Sequence, residues 1–218
     1  MSTPDTPPSP DDAPAALPDG PRAPAARPRL LRPVALVGLM GAGKTTVGRR
    51  LAAMLDAPFV DSDEEIEAAA RMSVAEIFAS MGEDAFRQGE RRVIARLVRQ
   101  SRPAVIATGG GAFMNDDTRA LLLSRAATVW IRAELDTLVE RVGRKNTRPL
   151  LAGGDPRRVL AELMARRHPV YAEAAVVVDS RRGEKHEAVA ARILDGLRAL
   201  GDVIEEGPDA PQSQETPA

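Results

Sequence analysis

The stretch Pro33-Val34-Ala35-Leu36-Val37-Gly38-Leu39-Met40-Gly41-Ala42-Gly43-Lys44-Thr45-Thr46-Val47-Gly48 governs the reading of the whole chain. Val34 to Val37 is an apolar run without alternation, the pattern of a strand buried on both faces. It breaks at Gly38, and Gly38-x-x-x-x-Gly43-Lys44-Thr45 completes a Walker A pattern. Beyond it Val47, Leu51 and Leu55 recur at helical spacing, with Ala52 and Ala53 as good helix formers. A chance glycine-rich turn would need none of this context. Glycines let the backbone curl so that successive N–H groups point at phosphate oxygens, and the following helix turns its positive dipole end to the same anion. Gly41, Ala42, Gly43, Lys44, Thr45 and Thr46 are therefore candidate nucleotide-phosphate ligands. Lys44 would reach the outer phosphates, and Thr45 would offer a hydroxyl to magnesium. The chain holds only three lysines, Lys44, Lys145 and Lys185, and otherwise uses arginine, yet a lysine stands here.

The chain's 218 residues suit one domain of ordinary size with room for disordered ends. With 44% hydrophobic but only 3% aromatic residues, its core must be filled by aliphatic side chains. A net charge of −1 gives no global field for nucleic acid or an anionic membrane, so cations must be placed locally for any phosphate chemistry. The absence of cysteine excludes disulfides and thiolate zinc sites, which fits the cytoplasm. No run approaches the 18 or so apolar residues of a membrane span. Nine of the 18 prolines lie in residues 1–29, without apolar periodicity, so this segment is expected to be a disordered arm. It lacks a secretory h-region, and its aspartates argue against a transit peptide. A domain is expected over residues 30–203, with a second disordered tail over 204–218.

Between the tails, short apolar strands alternate with helices. Strands are expected at 34–37, 59–61, 103–107, 127–131 and 175–178. Helices are expected at 63–71 and 74–81, with Ser73 as a cap, and from residue 82 onward. Further helices are expected at 116–125, 134–142, 156–168 and 184–200. A polar loop spans 143–154. Five such strands predict a parallel sheet covered by helices on both faces, a three-layer α/β/α fold. Ligands of such sheets bind beyond the carboxyl ends of the strands.

Residues at those ends carry the candidate chemistry. Asp61 and Asp63 follow the second strand. One carboxylate there can hold magnesium-bound water while its neighbour accepts a proton from a hydroxyl. A helix N-terminus selects the same residues, so both readings stand open. Gly109-Gly110-Gly111 follows the third strand and permits close backbone approach to a ligand, although a tight turn would need the same glycines. Most of the 27 arginines are surface charges by default. Three stand out: Arg87, with Glu90 three residues on, Arg148 in the polar loop, and Arg167 before His168-Pro169-Val170-Tyr171. Arginine suits bidentate recognition of carboxylate or phosphate.

Taken together, these segments resemble shikimate kinase, of the P-loop nucleoside-monophosphate-kinase-like group. The matching segments are GLMGAGKTTVGRRLA (38–52), FVDSDEEIE (59–67), SVAEIFASMGEDAFRQGE (73–90), ATGGGA (107–112), RPLL (148–151) and MARRHPVYAEAA (164–175). The Walker A element is shared by many families; the ordered combination is far more specific. The resemblance implies transfer of the γ-phosphoryl of ATP to the 3-hydroxyl of shikimate, with Mg2+ as cofactor, giving shikimate 3-phosphate and ADP in aromatic amino acid biosynthesis. It further implies that Lys44 binds the phosphates and that Thr45 and Asp61 serve magnesium. Asp63 would touch shikimate and accept the reacting proton. Arg87 and Arg167 would grip the carboxylate over a floor of Gly109, Gly110 and Gly111, with Glu90 bracing Arg87. Arg148 would swing in from a mobile lid over about 143–154. Arg141 would pack against adenine, and Arg182 would do so from the other side. A cytoplasmic monomer is implied, with neither nucleic acid nor membrane as partner. Two competitors are a gluconate-type kinase of the same fold and a non-catalytic nucleotide switch.

Overall fold

The computed structural model of the chain describes residues 27–143 and 155–206. A five-stranded parallel sheet is built from β2 (Val34–Val37), β3 (Phe59–Asp61), β4 (Val105–Ala107), β5 (Ala127–Arg132) and β6 (Val176–Asp179), in the order β3-β4-β2-β5-β6. All four residues of β2 are buried, as an apolar run between two helical layers requires. Leu36 lies opposite Ala107 on one side and Val129 on the other, while Asp61 lies opposite Ala107. This register aligns the ends of β3, β4 and β2, so the three motifs that follow them emerge side by side.

Helices α1 (Lys44–Met54), α2 (Ser62–Ala70), α3 (Val74–Leu97), α4 (Asp116–Arg125), α5 (Leu135–Gly143), α6 (Pro156–Tyr171) and α7 (His186–Ala199) flank the sheet, with one 3-10 turn at Ala112–Met114. The core is aliphatic as expected: Leu36, Leu51, Ile94 and Ile106 are fully buried, each contributing about 2 kcal/mol of apolar burial. Ser73 caps α3 through a reciprocal box, accepting from the Glu76 N–H at 3.2 Å while its own N–H donates to Glu76 Oε2 at 2.7 Å. The two helices expected on either side of residue 82 are there, joined at Gly82, whose φ of 81° only glycine adopts readily.

The chain ends differ from expectation. The arm was expected to run to residue 29 and the tail to begin at 204. Instead β1 (Arg27–Leu30) pairs antiparallel with β7 (Val203–Glu206), Leu30 opposite Val203 and Arg27 opposite Glu206. Pro28 is tolerated because a two-stranded ribbon consists of edges. Beside it, the Arg32 guanidinium grips Asp202 with two bonds of 2.5 and 2.8 Å. Asp202 is only 6% exposed. Arg32→Ala would strand this carboxylate at a cost of about 2 kcal/mol, lowering Tm by roughly 4–8 °C. Calorimetry checks this, and unchanged steady-state constants are expected alongside. The expected lid lies outside the described residues except for Gly143, which ends α5, and Arg148 lies outside them with it.

Candidate active site

Lys44 opens α1 immediately after Gly43, placing its side chain at the mouth of the loop. Its ammonium donates to the carbonyls of Gly38 at 2.8 Å and Leu39 at 3.1 Å. The loop borders a cleft of about 630 Å³ that also contains Thr45, Thr46, Asp61, Asp63, Arg87, the three glycines, Arg141 and Arg167. Ala42, within the loop, is buried and does not line the cleft; its N–H donates to the Leu39 carbonyl at 3.2 Å.

The two readings of Asp61 turn out to be compatible. Its Oδ1 accepts from the Asp63 N–H at 3.1 Å and so caps α2, while its Oδ2 accepts from the Thr45 hydroxyl at 2.9 Å. Hard oxygen donors meeting beside a phosphate loop suit magnesium, which takes one or two protein oxygens and completes its shell with phosphate and water. Thr45 and Asp61 therefore fit that ion.

Asp63 points the other way. Burial, then the neighbouring Asp61, pushes its carboxyl above the ordinary aspartate range, while Lys44 and Arg87 oppose that rise. Its Oδ1 is buried with no hydrogen-bond partner, and so is Glu90 Oε1. Both oxygens crowd Gly109: a Cβ there would lie 2.7 Å from each. At Gly111 a Cβ would lie 2.6 Å from Arg87 Nη1. The triple glycine is thus a surface against which charged side chains lie, rather than a mere turn. Its carbonyl at Gly110 accepts from Arg167 Nη1 at 2.7 Å.

Arg87 is fixed from below. Its Nη1 donates to Glu90 Oε2 at 2.8 Å, and its Nη2 donates to Glu83 at 3.1 Å. Burial works against the guanidinium charge, but Glu90 and Glu83 outweigh it, and its pKa is raised. Glu90 is 2% exposed, and burial raises its own pKa against the pull of Arg87.

Arg141 donates to the carbonyls of Gly41 and Ala42 at 3.3 Å each, to Ser180 Oγ at 2.9 Å and to the Arg181 carbonyl at 2.9 Å. It ties the phosphate loop to the segment after β6. Arg182 is not brought to the cleft; it is exposed and pairs with Glu140 at 2.6 Å. Several contributors had not been singled out from the sequence. Ser62 is buried and accepts from the Gly109 N–H at 3.1 Å, joining the acid pair to the glycines. Tyr171 donates to the Gly110 carbonyl at 2.5 Å. Its spacing was the available signal, since residues four apart share a helix face and Tyr171 follows Arg167 by four.

A family model described as shikimate kinase matches residues 40–198. The chain belongs to the shikimate kinase family. It is 54% identical over 172 residues to the shikimate kinase of Novosphingobium aromaticivorans, covering 78% of this chain and 89% of that protein. Its structure is similar to that of shikimate kinase from Acinetobacter baumannii in complex with shikimate, with a TM-score of 0.73 and 37% identity, covering 78% of this chain and 94% of that one. A gluconokinase from Sinorhizobium meliloti shares the fold at a TM-score of 0.54 but only 18% identity, covering 79% of this chain and 94% of that one. The β1–β7 ribbon lies outside the part matched by the shikimate kinase model.

Proposed function

We propose that the chain transfers the γ-phosphoryl of ATP to the 3-hydroxyl of shikimate, giving shikimate 3-phosphate and ADP for aromatic amino acid biosynthesis. One observation carries this reading: two guanidinium groups, Arg87 and Arg167, lie against adjacent glycines of one strand-end loop, in the same cleft as Lys44. Such a clamp favours an acceptor with a carboxylate, delivered opposite the phosphate loop.

Phosphoryl transfer is catalysed chiefly by positioning and charge neutralisation. The backbone of Gly41, Ala42 and Gly43, with Lys44 and Thr46, holds the donor phosphates. Thr45 and Asp61 would hold Mg2+, whose charge screens the phosphate oxygens when it is bound. Arg87 and Arg167 bind the acceptor carboxylate over Gly109, Gly110 and Gly111. Asp63 orients the hydroxyl and takes its proton as that oxygen bonds to the γ-phosphorus and ADP leaves. Arg148 would approach from the lid to neutralise the transferring group, and Arg141 would border the adenine. The reading extends to a cytoplasmic monomer that uses neither nucleic acid nor a membrane. Among the described residues no helix is long and apolar enough to cross a membrane.

ATP consumption with shikimate, with gluconate and with neither acid tests the proposal. Consumption with shikimate alone is expected; turnover of gluconate in its place would overturn it. Arg87→Ala is expected to raise KM for shikimate by roughly 10–100-fold, the worth of a charge-assisted pair, while KM for ATP stays within about twofold. Equal effects on both substrates would remove Arg87 from the carboxylate site.

A further inference from the structure

We propose that Tyr171 is a positioning residue for the acceptor clamp, its hydroxyl and Arg167 Nη1 sharing the Gly110 carbonyl so that the tyrosine fixes where Arg167 points. The inference rests on Arg167 binding the acceptor carboxylate.

Tyr171 is the chain's only tyrosine, and it is fully buried. Its one polar atom is committed to the Gly110 oxygen at 2.5 Å, and Arg167 reaches the same oxygen at 2.7 Å. Both donors stand one turn apart on α6, where residues four apart lie on one face. A carbonyl oxygen has two lone pairs, so it satisfies both donors at once.

The tyrosine ring has little freedom. It lies 6.5 Å from the Phe113 ring, 6.0 Å from Trp130 and 6.5 Å from His168, centroid to centroid. This aromatic nest fixes the hydroxyl, and the hydroxyl holds the Gly110 peptide plane. That plane in turn fixes one arm of the planar Arg167 fork, leaving the remaining N–H groups for a ligand. A phenol is protonated at neutral pH, and burial pushes the Tyr171 pKa further up, so the hydroxyl is a donor here. A buried hydroxyl must find an acceptor, and the acceptor this one finds is the carbonyl that Arg167 also uses.

Tyr171→Phe removes the oxygen and keeps the ring, so packing survives. KM for shikimate is expected to rise roughly 3–10-fold, the worth of one hydrogen bond. Both kcat and KM for ATP should stay within about twofold, since the nucleotide half of the site is untouched. The same change made on an Arg167→Ala background should leave kcat/KM for shikimate unaltered, because the residue it acts through is gone. The proposal is overturned by an unchanged KM with only a lowered Tm, by a parallel rise in KM for ATP, or by an undiminished effect without Arg167. Failure of the proposed function reads differently: the wild-type chain would then not consume ATP with shikimate at all.

Discussion

Asp63→Asn is expected to lower kcat by about 10²–10⁴-fold, the usual worth of a positioned general base, while the Kd for MgATP stays within about twofold. The amide has the shape of the carboxyl but cannot accept the hydroxyl proton. Coupled ADP release and equilibrium nucleotide binding measure the two quantities separately. A variant with near-wild-type kcat would remove Asp63 from proton transfer. The environment gives the prediction a pH signature. Burial, with Asp61 behind it, holds the Asp63 pKa above the ordinary aspartate range. The base works only when ionised, so kcat/KM for shikimate should rise with pH across a limb placed above that range. The limb should vanish in the variant.

Gly109→Ala is expected to lower kcat/KM for shikimate by at least about 100-fold, since ångström-scale misplacement of reacting groups costs that much. The added methyl would lie 2.7 Å from both Asp63 Oδ1 and Glu90 Oε1. Neither can easily retreat. Asp63 sits in the capped first turn of α2, and Glu90 is tied to Arg87 at 2.8 Å. Displacing them moves the base and the brace of the clamp together. Gly89→Ala is the matched control, on α3 where an added Cβ would meet nothing beyond its chain neighbours and its own helix backbone within 4 Å. It should keep full activity and gain about 0.4–1 kcal/mol of stability. Wild-type activity in Gly109→Ala would show that the close approach of Asp63 and Glu90 to this glycine is not needed for catalysis.

The parts of this molecule that could be read in the sequence are those with local causes. Val34 to Val37 could only be a strand buried on both faces, and the glycine loop with its lysine had to follow it into a helix. Arg87 and Glu90, three apart on a helix, had to be neighbours. Contacts made across the fold were not legible. Nothing near Arg27 reveals that its partner strand lies at the other end of the chain. The competing readings of Asp61 could not be reconciled until its two oxygens were seen to take different partners. The tyrosine behind Arg167 and the serine between the aspartates matter through what they touch, Gly110 and Gly109. Arg182 is given a nucleotide contact by resemblance alone; it pairs with Glu140 at the exposed surface.

The terminal ribbon has a mechanical consequence. Arg27 and Glu206 sit opposite one another at the same end of an antiparallel pair, so the folded body is a closed ring with a four-pair seam. Force applied to the two chain ends would peel that seam one rung at a time, as a zipper opens, instead of shearing all its rungs together. Behind the last rung stands the Arg32–Asp202 pair, the rivet at which peeling would halt. An unfolding machine gripping either tail would meet a weak seam first, and the sheet with its cleft only after that rivet had given way.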